Sequence, residues 1–287
     1  MPELPEVETV RLQLLHKVAG KQIKKVEVFH TKTVNRNANF ALLLQGKIIA
    51  HIDRVGKLMI ISFVDEADFF LLIHLKMTGQ FFYRDSKSIS GGGHSMTATD
   101  IRELPGKHTR VAFYFGDGSA LFFNDMRLFG YTKIANAAEV EAARASYGQE
   151  PIHDHFDVEQ FATRLRKRKT SVKAALLDQS FVAGLGNIYV DEALFRAAVR
   201  PSRRSDRVTK KEAYEIAHHG GEVMRHSISV GGTTFQHFVD TGGENGNYTD
   251  FLLVFGKQNT PCPNCGTLIK KTRVAGRGTH FCPSCQK

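Results

Sequence analysis

Nowhere does the chain hold an apolar run approaching the ~18 consecutive residues of a membrane span. Its first eight residues carry charges and no apolar stretch of signal-peptide type. These absences predict a cytoplasmic protein with no membrane attachment. Cysteine is scarce, with four residues in 287, all in the last segment. In a reducing compartment so few thiols read as metal ligands or buried thiols rather than disulfides. Acidic residues are outnumbered, 29 Asp and Glu against 39 Lys and Arg, which leaves a formal charge of +10 spread through the chain. That balance favours a polyanionic partner, of which nucleic acid is the commonest. There is no internal repeat and no low-complexity tract. What remains is an ordinary globular composition, 42% hydrophobic, with length for two domains.

The texture changes along the chain. Val7, Val10, Leu14 and Val18 fall at helical spacing and predict an amphipathic helix over residues 6–18, with Pro5 in its first turn. The runs "KKVEVF", "KLMIISF", "FFLLIHL", "RVAFYF" and "SALFFND" read as strands, and "GDG" between the last two is a hairpin signal. Residues 1–135 are therefore expected to be a helix followed by an antiparallel β-sandwich. The polar stretch from Arg84 to Lys107, with three consecutive glycines, is expected to be a long mobile loop. Residues 136–156 read as a linker. Helices are then expected over 157–168, 171–180, 187–198 and 209–229, with starts signalled by Asp157 before Gln160 and by Thr209 before Glu212. They make a helical domain over 157–249. The remaining segment, 250–287, is too short to fold on an apolar core alone.

Three constellations carry chemistry. Cys262 and Cys265 are answered, after sixteen intervening residues, by Cys282 and Cys285. Two C-x-x-C pairs at this spacing predict a tetrahedral four-cysteine Zn2+ site. Four protein ligands leave no open position, so one structural zinc is expected, folding the module as it binds. The hairpin between the pairs carries Lys270, Lys271, Arg273 and Arg277, which suits phosphate contact. Second, Gly184 and Gly186 make a turn into a helix that Asn187 is expected to cap, forming an anion site beside the basic run from Arg164 to Lys173. Third, Met77 in "HLKMTG" and the segment "DMRLFG" put large residues near turns with a cation close by. Such residues suit a protein that extrudes a base and fills the gap in the stack. The opening "MPELPE" adds a further possibility. Removal of Met1, common before a small residue, gives Pro2 a free secondary amine. With a pKa of ~8 against ~10.4 for lysine, it is unprotonated to a roughly hundredfold greater extent near neutral pH. Such an amine is a nucleophile that yields an iminium ion, and Glu3 beside it can supply a general acid.

Taken together, "PELPEVE" at Pro2–Glu8, Gly56 with Lys57, "HLKM" at His74–Met77, "DMRLFG", "GLGNIYVDEALF" and the terminal "AGRGTHFCPSCQK" resemble the formamidopyrimidine-DNA glycosylase family nearly end to end. Leu4 matches this branch rather than the related endonuclease VIII branch, which typically has glycine there. The resemblance implies an α+β, two-lobed fold: an N-terminal helix and antiparallel β-sandwich, then a helix-two-turns-helix domain with a four-cysteine zinc-finger hairpin. It implies a bifunctional glycosylase/AP lyase that excises oxidised purines from double-stranded DNA in base-excision repair, a bacterial nucleoid-associated enzyme working as a monomer. By motif position it makes Pro2 the nucleophile on C1′ and Glu3 the proton donor, with Glu6 as a helper. Lys57 assists the lyase steps, and Arg277 holds phosphates around the flipped nucleotide. His74, Lys107, His108, Lys169 and Asn187 are implied DNA contacts, and Met77, Arg127 and Phe129 the wedges. Three features depart from the family pattern: the long 84–107 loop, Leu128 at a position often basic, and Thr78 where some relatives carry glutamate. Residues 240–251 are the candidate lesion-capping loop.

Overall fold

The computed structural model describes residues 2–86, 103–232 and 248–287, and the backbone of 89–92. Two compact units result. Among the described residues the first runs to Arg144 and takes in Gly231 and Gly232, and the second covers Ala145–Val230 and Tyr248–Lys287.

The first unit opens with helix α1, Leu4–Val18, whose apolar stripe of Val7, Val10, Leu14 and Val18 is almost fully buried. Two antiparallel sheets follow. One has the order β1-β7-β8-β5-β6, built from Ile23–Val28, Thr109–Phe115, Ala120–Asp125, Gly79–Arg84 and Ile89–Gly92. The other has the order β2-β3-β4-β9, from Ile49–Val55, Leu58–Phe63, Glu66–His74 and Tyr131–Ala135. Alternate residues from both sheets, including Ile61, Ile73, Phe81, Phe113 and Phe123, join α1 and the short helix α2, Phe40–Leu44, in one core. This is the sandwich that the alternating strands predict.

Several elements were not expected. Strands β2, β6 and β9 are sheet edges, where charges and glycine blunt the strand signal. The first part of the expected 84–107 loop is strand β6, which pairs with β5 from Phe81↔Gly92 to Arg84↔Ile89. Within that stretch, residues 87–88 and 93–102 lie outside the described residues, while buried Leu104 packs with Phe82 and Phe122. The segment read as a linker begins with helix α3, Ala137–Ala145, which is tied to the sandwich. The Ala137 N–H donates to Asp68 Oδ1 (2.7 Å), Lys133 pairs with Glu139 (2.6 Å) and Arg144 pairs with Asp53. Its start is signalled by Asn136 with Glu139 three residues on, which form a capping box: the Glu139 N–H donates to Asn136 Oδ1 (2.8 Å) and the Asn136 N–H to Glu139 Oε2 (3.0 Å).

The second unit contains α4 (Val158–Arg166), α5 (Val172–Leu177), α6 (Asn187–Arg196) and α7 (Lys210–Ser229). Asp157 and Thr209 cap α4 and α7 by accepting from the N–H groups of Gln160 and Glu212. Helix α7 packs closely against residue 151: a Cβ on Gly221 would lie 2.2 Å from the Pro151 carbonyl oxygen. The Tyr189 and Ser227 hydroxyls, 2.6 Å apart, link α6 to α7. The terminal segment forms a hairpin of β10 (Lys270–Val274) and β11 (Arg277–Phe281). Its two-residue turn, Ala275 and Gly276, takes positive φ at both positions, as a tight right-twisted hairpin requires. Among the described residues no helix is long and apolar enough to cross a membrane.

Candidate active site and nucleic-acid interface

Helix α1 begins at an unusual place for charge. Glu3 is its N-cap, and the Glu3 N–H donates to Glu6 Oε2 at 2.7 Å, the return half of a capping box. Yet both carboxylates are only 3% exposed. A cap that served only the helix would sit in water. Pro2 is buried as well. Further along the same helix, Glu8 pairs with Arg11 (2.7 Å) and with Arg54 (2.8 Å). Burial pushes the Glu8 carboxyl up, but the two guanidiniums outweigh it and hold the group below its ordinary range. Arg54 Nη1 in turn donates to the Gly56 carbonyl (3.0 Å) in the β2–β3 turn. Gly56 there takes φ +55°, and Lys57 follows it, 5% exposed. The helix that carries Pro2 and Glu3 is thus fastened to the turn that carries Lys57.

Across β3 and β4, Leu58 pairs with His74, which brings His74 beside Lys57. Burial, with Lys76 and Lys57 adding like charge, pushes the His74 imidazolium down to about 3. His74 is therefore neutral at neutral pH. The Lys76 N–H donates to Nδ1 (3.0 Å), so the ring proton sits on Nε2 and is available to an outside acceptor.

The three expected wedges come together. Arg127 Nη1 is 3.2 Å from Met77 Sδ, and the Arg127 guanidinium lies over the Phe129 ring at 4.8 Å. Met77 is 39% exposed and Phe129 49%, uncommon for side chains of this size. A fully buried carboxylate organises them. Asp125 accepts from the Thr78 hydroxyl, from the Arg127 N–H (3.1 Å) and from the Gly130 N–H (2.7 Å). Leu128, at φ +57°, turns the chain between the two wedges. Thr78 thus supplies a neutral donor to Asp125, where a glutamate would place a second carboxylate. Arg110 joins the same cluster, donating to the carbonyls of Asp125 (2.7 Å) and Lys107 (3.1 Å). It braces exposed Lys107 and half-buried His108 beside the wedge loop.

In the second unit the basic run divides. Arg166, Lys167 and Lys169 are exposed, whereas Arg164 and Arg168 cover the Phe181 ring and Lys173 is fully buried. Lys173 Nζ pairs with Asp191 Oδ1 at 2.6 Å, with neither side chain exposed, and Asp191 Oδ2 accepts from the His280 N–H (2.8 Å). Next in sequence, Glu192 accepts from the N–H groups of Leu253, Val254 and Phe255 at 2.9–3.1 Å. The α6 cap is Gly186 rather than Asn187. Asn187 is the first helical residue, and its Nδ2 donates to the Gly278 carbonyl (3.0 Å). Gly184, at φ +92°, makes the preceding turn. Its N–H donates to Gln179 Oε1 (3.0 Å), while Gln179 Nε2 donates to the Leu185 carbonyl (2.7 Å). Helix α6 therefore holds the hairpin that presents exposed Arg277.

The four cysteines form one cluster, their sulfurs all within 4.8 Å of one another. Cys262 and Cys285 are 3.9 Å apart and Cys265 and Cys282 3.5 Å. A tetrahedron with Zn–S bonds of ~2.3 Å has edges of about 3.8 Å, so the donor set fits one zinc ion. Cys262 and Cys282 also pack with Phe195, Val254 and Ile269. The metal site and the docking of the finger on α6 are one construction.

Motif reading reached the residues that face outward and missed those that hold them. Asp125, Asp191 and Glu192 lie inside quoted motifs, yet nothing in their spacing marks them as buried acceptors. Glu8, Arg54 and Arg110 have local partners too, but the bonds that tie separate elements together, Glu8 to Arg54 and Arg110 to the Asp125 carbonyl, join residues distant in sequence. Met1 and residues 240–247 lie outside the described residues. Of the candidate lesion-capping loop, Tyr248–Phe251 forms a short 3-10 helix.

Comparison with known proteins agrees with this construction. Residues 1–132 match the model of the formamidopyrimidine-DNA glycosylase N-terminal domain, residues 147–239 that of the formamidopyrimidine-DNA glycosylase H2TH domain, and residues 260–287 the zinc finger found in FPG and IleRS. Formamidopyrimidine-DNA glycosylase of Halalkalibacterium halodurans is 38% identical, with all of both chains covered. The Lactococcus lactis Fpg, solved in complex with an abasic site containing DNA, superposes with a TM-score of 0.87 at 33% identity, again over all of both chains. A MutM structure in complex with carbocyclic 8-oxo-G containing DNA gives 0.86 at 34%, with the same coverage. The chain belongs to the formamidopyrimidine-DNA glycosylase family, DNA glycosylase/AP lyases that act on damaged bases.

Proposed function

We propose that this protein binds double-stranded DNA carrying oxidised purines, excises 8-oxoguanine and formamidopyrimidines, and cuts the strand through an iminium on Pro2. The observation that carries the reading is the start of α1, where two carboxylates a helix cap alone would leave in water, Glu3 and Glu6, are buried with Pro2. With Met1 removed, the Pro2 nitrogen attacks C1′, the glycosidic bond breaks, and its electron pair leaves with the base, which takes up a proton. Glu3 protonates O4′ as the sugar ring opens to the iminium. That electron sink acidifies the 2′ hydrogen. Its removal expels the 3′ phosphate by β-elimination, a further elimination expels the 5′ phosphate, and water releases Pro2. Lys57 assists the proton transfers, and Glu6 supports Glu3.

The other assignments follow the chemistry of each group. Met77, Arg127 and Phe129 fill the gap that a flipped nucleotide leaves in the stack. His74 offers a neutral Nε2–H to a phosphate, while Lys107, His108, Lys169, Asn187 and Arg277 supply further backbone contacts. The zinc supplies no reaction chemistry, and when bound it folds the hairpin that presents Arg277.

Borohydride trapping tests the mechanism. Zinc-loaded protein with Pro2 as its first residue by mass analysis, incubated with an 8-oxoguanine duplex and reduced, is expected to give a covalent complex through Pro2 and a nicked strand. Glu3→Gln should bind the duplex and lose excision. A wild-type preparation that binds the duplex but is never trapped would overturn the mechanism.

A further inference from the structure

Helix α7 carries a cluster that the DNA chemistry does not use. His218 and Glu222 stand four residues apart, His219 and Glu222 three, and Glu215 and His219 four, so successive turns bring them to one side of the helix. One donor atom from each of His218, His219 and Glu222 lies within 4.8 Å of the other two. His219 Nδ1 and Glu222 Oε2 are 2.9 Å apart. Two ligands at ~2.1 Å from a metal ion, subtending 90–109°, are about 3.0–3.4 Å apart, so this pair is already near a shared coordination edge. The other ring nitrogen of His219 faces Glu215 Oε2 at 3.6 Å. A carboxylate behind a ligating imidazole orients the ring and raises its basicity. His218 and Glu222 are exposed, and His218 also lines a surface cavity of about 370 Å³ with His153 and Asp154.

We propose that His218, His219 and Glu222 form a second metal site, separate from the four cysteines, that takes one divalent transition-metal ion. Two imidazoles and a carboxylate suit Ni2+, Cu2+ or Zn2+ and disfavour the hard cations Mg2+ and Ca2+. Three protein ligands leave positions for water, so the ion is exchangeable, unlike one enclosed by four thiolates. Because the donors lie about one turn apart on one helix, a bound ion clamps the middle of α7.

The test uses tag-free, zinc-loaded full-length protein titrated with NiCl2 by calorimetry, beside His218→Ala/His219→Ala and Glu222→Gln. His218 and Glu222 are exposed, and half-buried His219 pairs with the exposed carboxylates of Glu215 and Glu222, so the variants should unfold close to the wild-type temperature without nickel. The expected result is one Ni2+ per chain beyond the cysteine-bound zinc. Affinity should fall at least tenfold in the double alanine variant and by less in Glu222→Gln, and nickel should raise the Tm of wild type alone. In histidine-selective NMR, substoichiometric Ni2+ should broaden His218 and His219 before the other eleven histidines of the chain's thirteen. Equal nickel binding by wild type and the double variant, or broadening that starts elsewhere, would show that these residues form only surface ion pairs and would overturn the site.

Discussion

Replacing Asp191 by leucine should loosen the zinc finger far more than replacing Asp191 and Lys173 together. In the native protein Lys173 Nζ and Asp191 Oδ1 are 2.6 Å apart with both side chains 0% exposed, and Asp191 Oδ2 accepts the His280 N–H. Removing one partner of a buried ion pair costs ~3–5 kcal/mol because the other charge stays desolvated, whereas exchanging both for apolar groups is often near neutral. Asp191→Leu also leaves the His280 N–H without its acceptor, worth ~1–3 kcal/mol, which puts this variant at the upper end. Lys173→Met strands a carboxylate that keeps the His280 N–H and the nearby His280 ring (Nδ1 at 3.6 Å), so ~3 kcal/mol is expected. The double variant should lose ~1–2 kcal/mol, since its main deficit is that one backbone donor. The coupling energy is then about 4 kcal/mol or more, well beyond the ~0.5 kcal/mol scatter of independent sites.

His280 stands two residues before Cys282, so undocking here should reach the metal. The assay is zinc release into a colorimetric chelator as a function of urea. With a slope of ~1–3 kcal/mol per molar urea, each single substitution should lower the release midpoint by ~1–3 M, and the double variant by less than either. Single substitutions that each shift the midpoint as a surface change would, or effects that simply add, would refute the picture of a buried, mutually dependent pair.

Three further outcomes are expected. His74 takes up a proton in the unfolded chain near its ordinary value of 6.5 but resists it in the folded protein down to about 3. Its contribution to stability is thus complete above pH 6.5 and lost as pH falls between these values, at up to ~1.4 kcal/mol per pH unit. His74→Asn, which keeps an acceptor for the Lys76 N–H, should flatten this part of the stability profile measured by urea unfolding at pH 5 and 7, and an unchanged slope would contradict the assignment. Gly221→Ala places a methyl group 2.2 Å from the Pro151 carbonyl oxygen and should destabilise the helical unit by ~1–3 kcal/mol or more, whereas Gly220→Ala, whose Cβ meets Leu185 at 3.6 Å, should be tolerated. Equal Tm values for the two variants would count against that close crossing. Prolonged chelation should melt the β10–β11 hairpin and abolish duplex binding in a mobility-shift assay, with recovery on adding zinc. Binding that survives complete metal loss would separate the finger from DNA recognition.

How far the sequence reads depends on how local the information is. The zinc site was legible because its ligands come in two short knuckles at standard spacing, and the caps of α4 and α7 because each is written within four residues. Five strands with dense β-branched and aromatic runs were legible too. One of them, β1, is a sheet edge, whereas the edges β2, β6 and β9, with polar or glycine-rich composition, and the short interior strand β5, Gly79–Arg84, were not among the expected strands. The cap of helix α3, Asn136 with Glu139, is equally local, but the bonds that fasten it to the sandwich, from Asp68 and Asp53, come from strands far back in the chain. The Asn187 reading had the helix start right but the cap one residue late, because a glycine cap has no side chain to announce it.

By itself, then, the sequence determined which chemistry is present: a proline followed by a carboxylate, four paired thiols, a basic surplus and a set of short motifs in one order. Tertiary structure alone decided which of those groups are held and by what. It buried Glu3 and Glu6, tied the Lys57 turn to α1 through Glu8 and Arg54, gathered Met77, Arg127 and Phe129 around Asp125, and took Lys173 out of the basic surface to pair with Asp191. The physical reason is that a side chain's identity sets what it can donate, accept or displace. Its burial and its partners, which set its charge and its aim, come from residues tens of positions away that only the fold brings near.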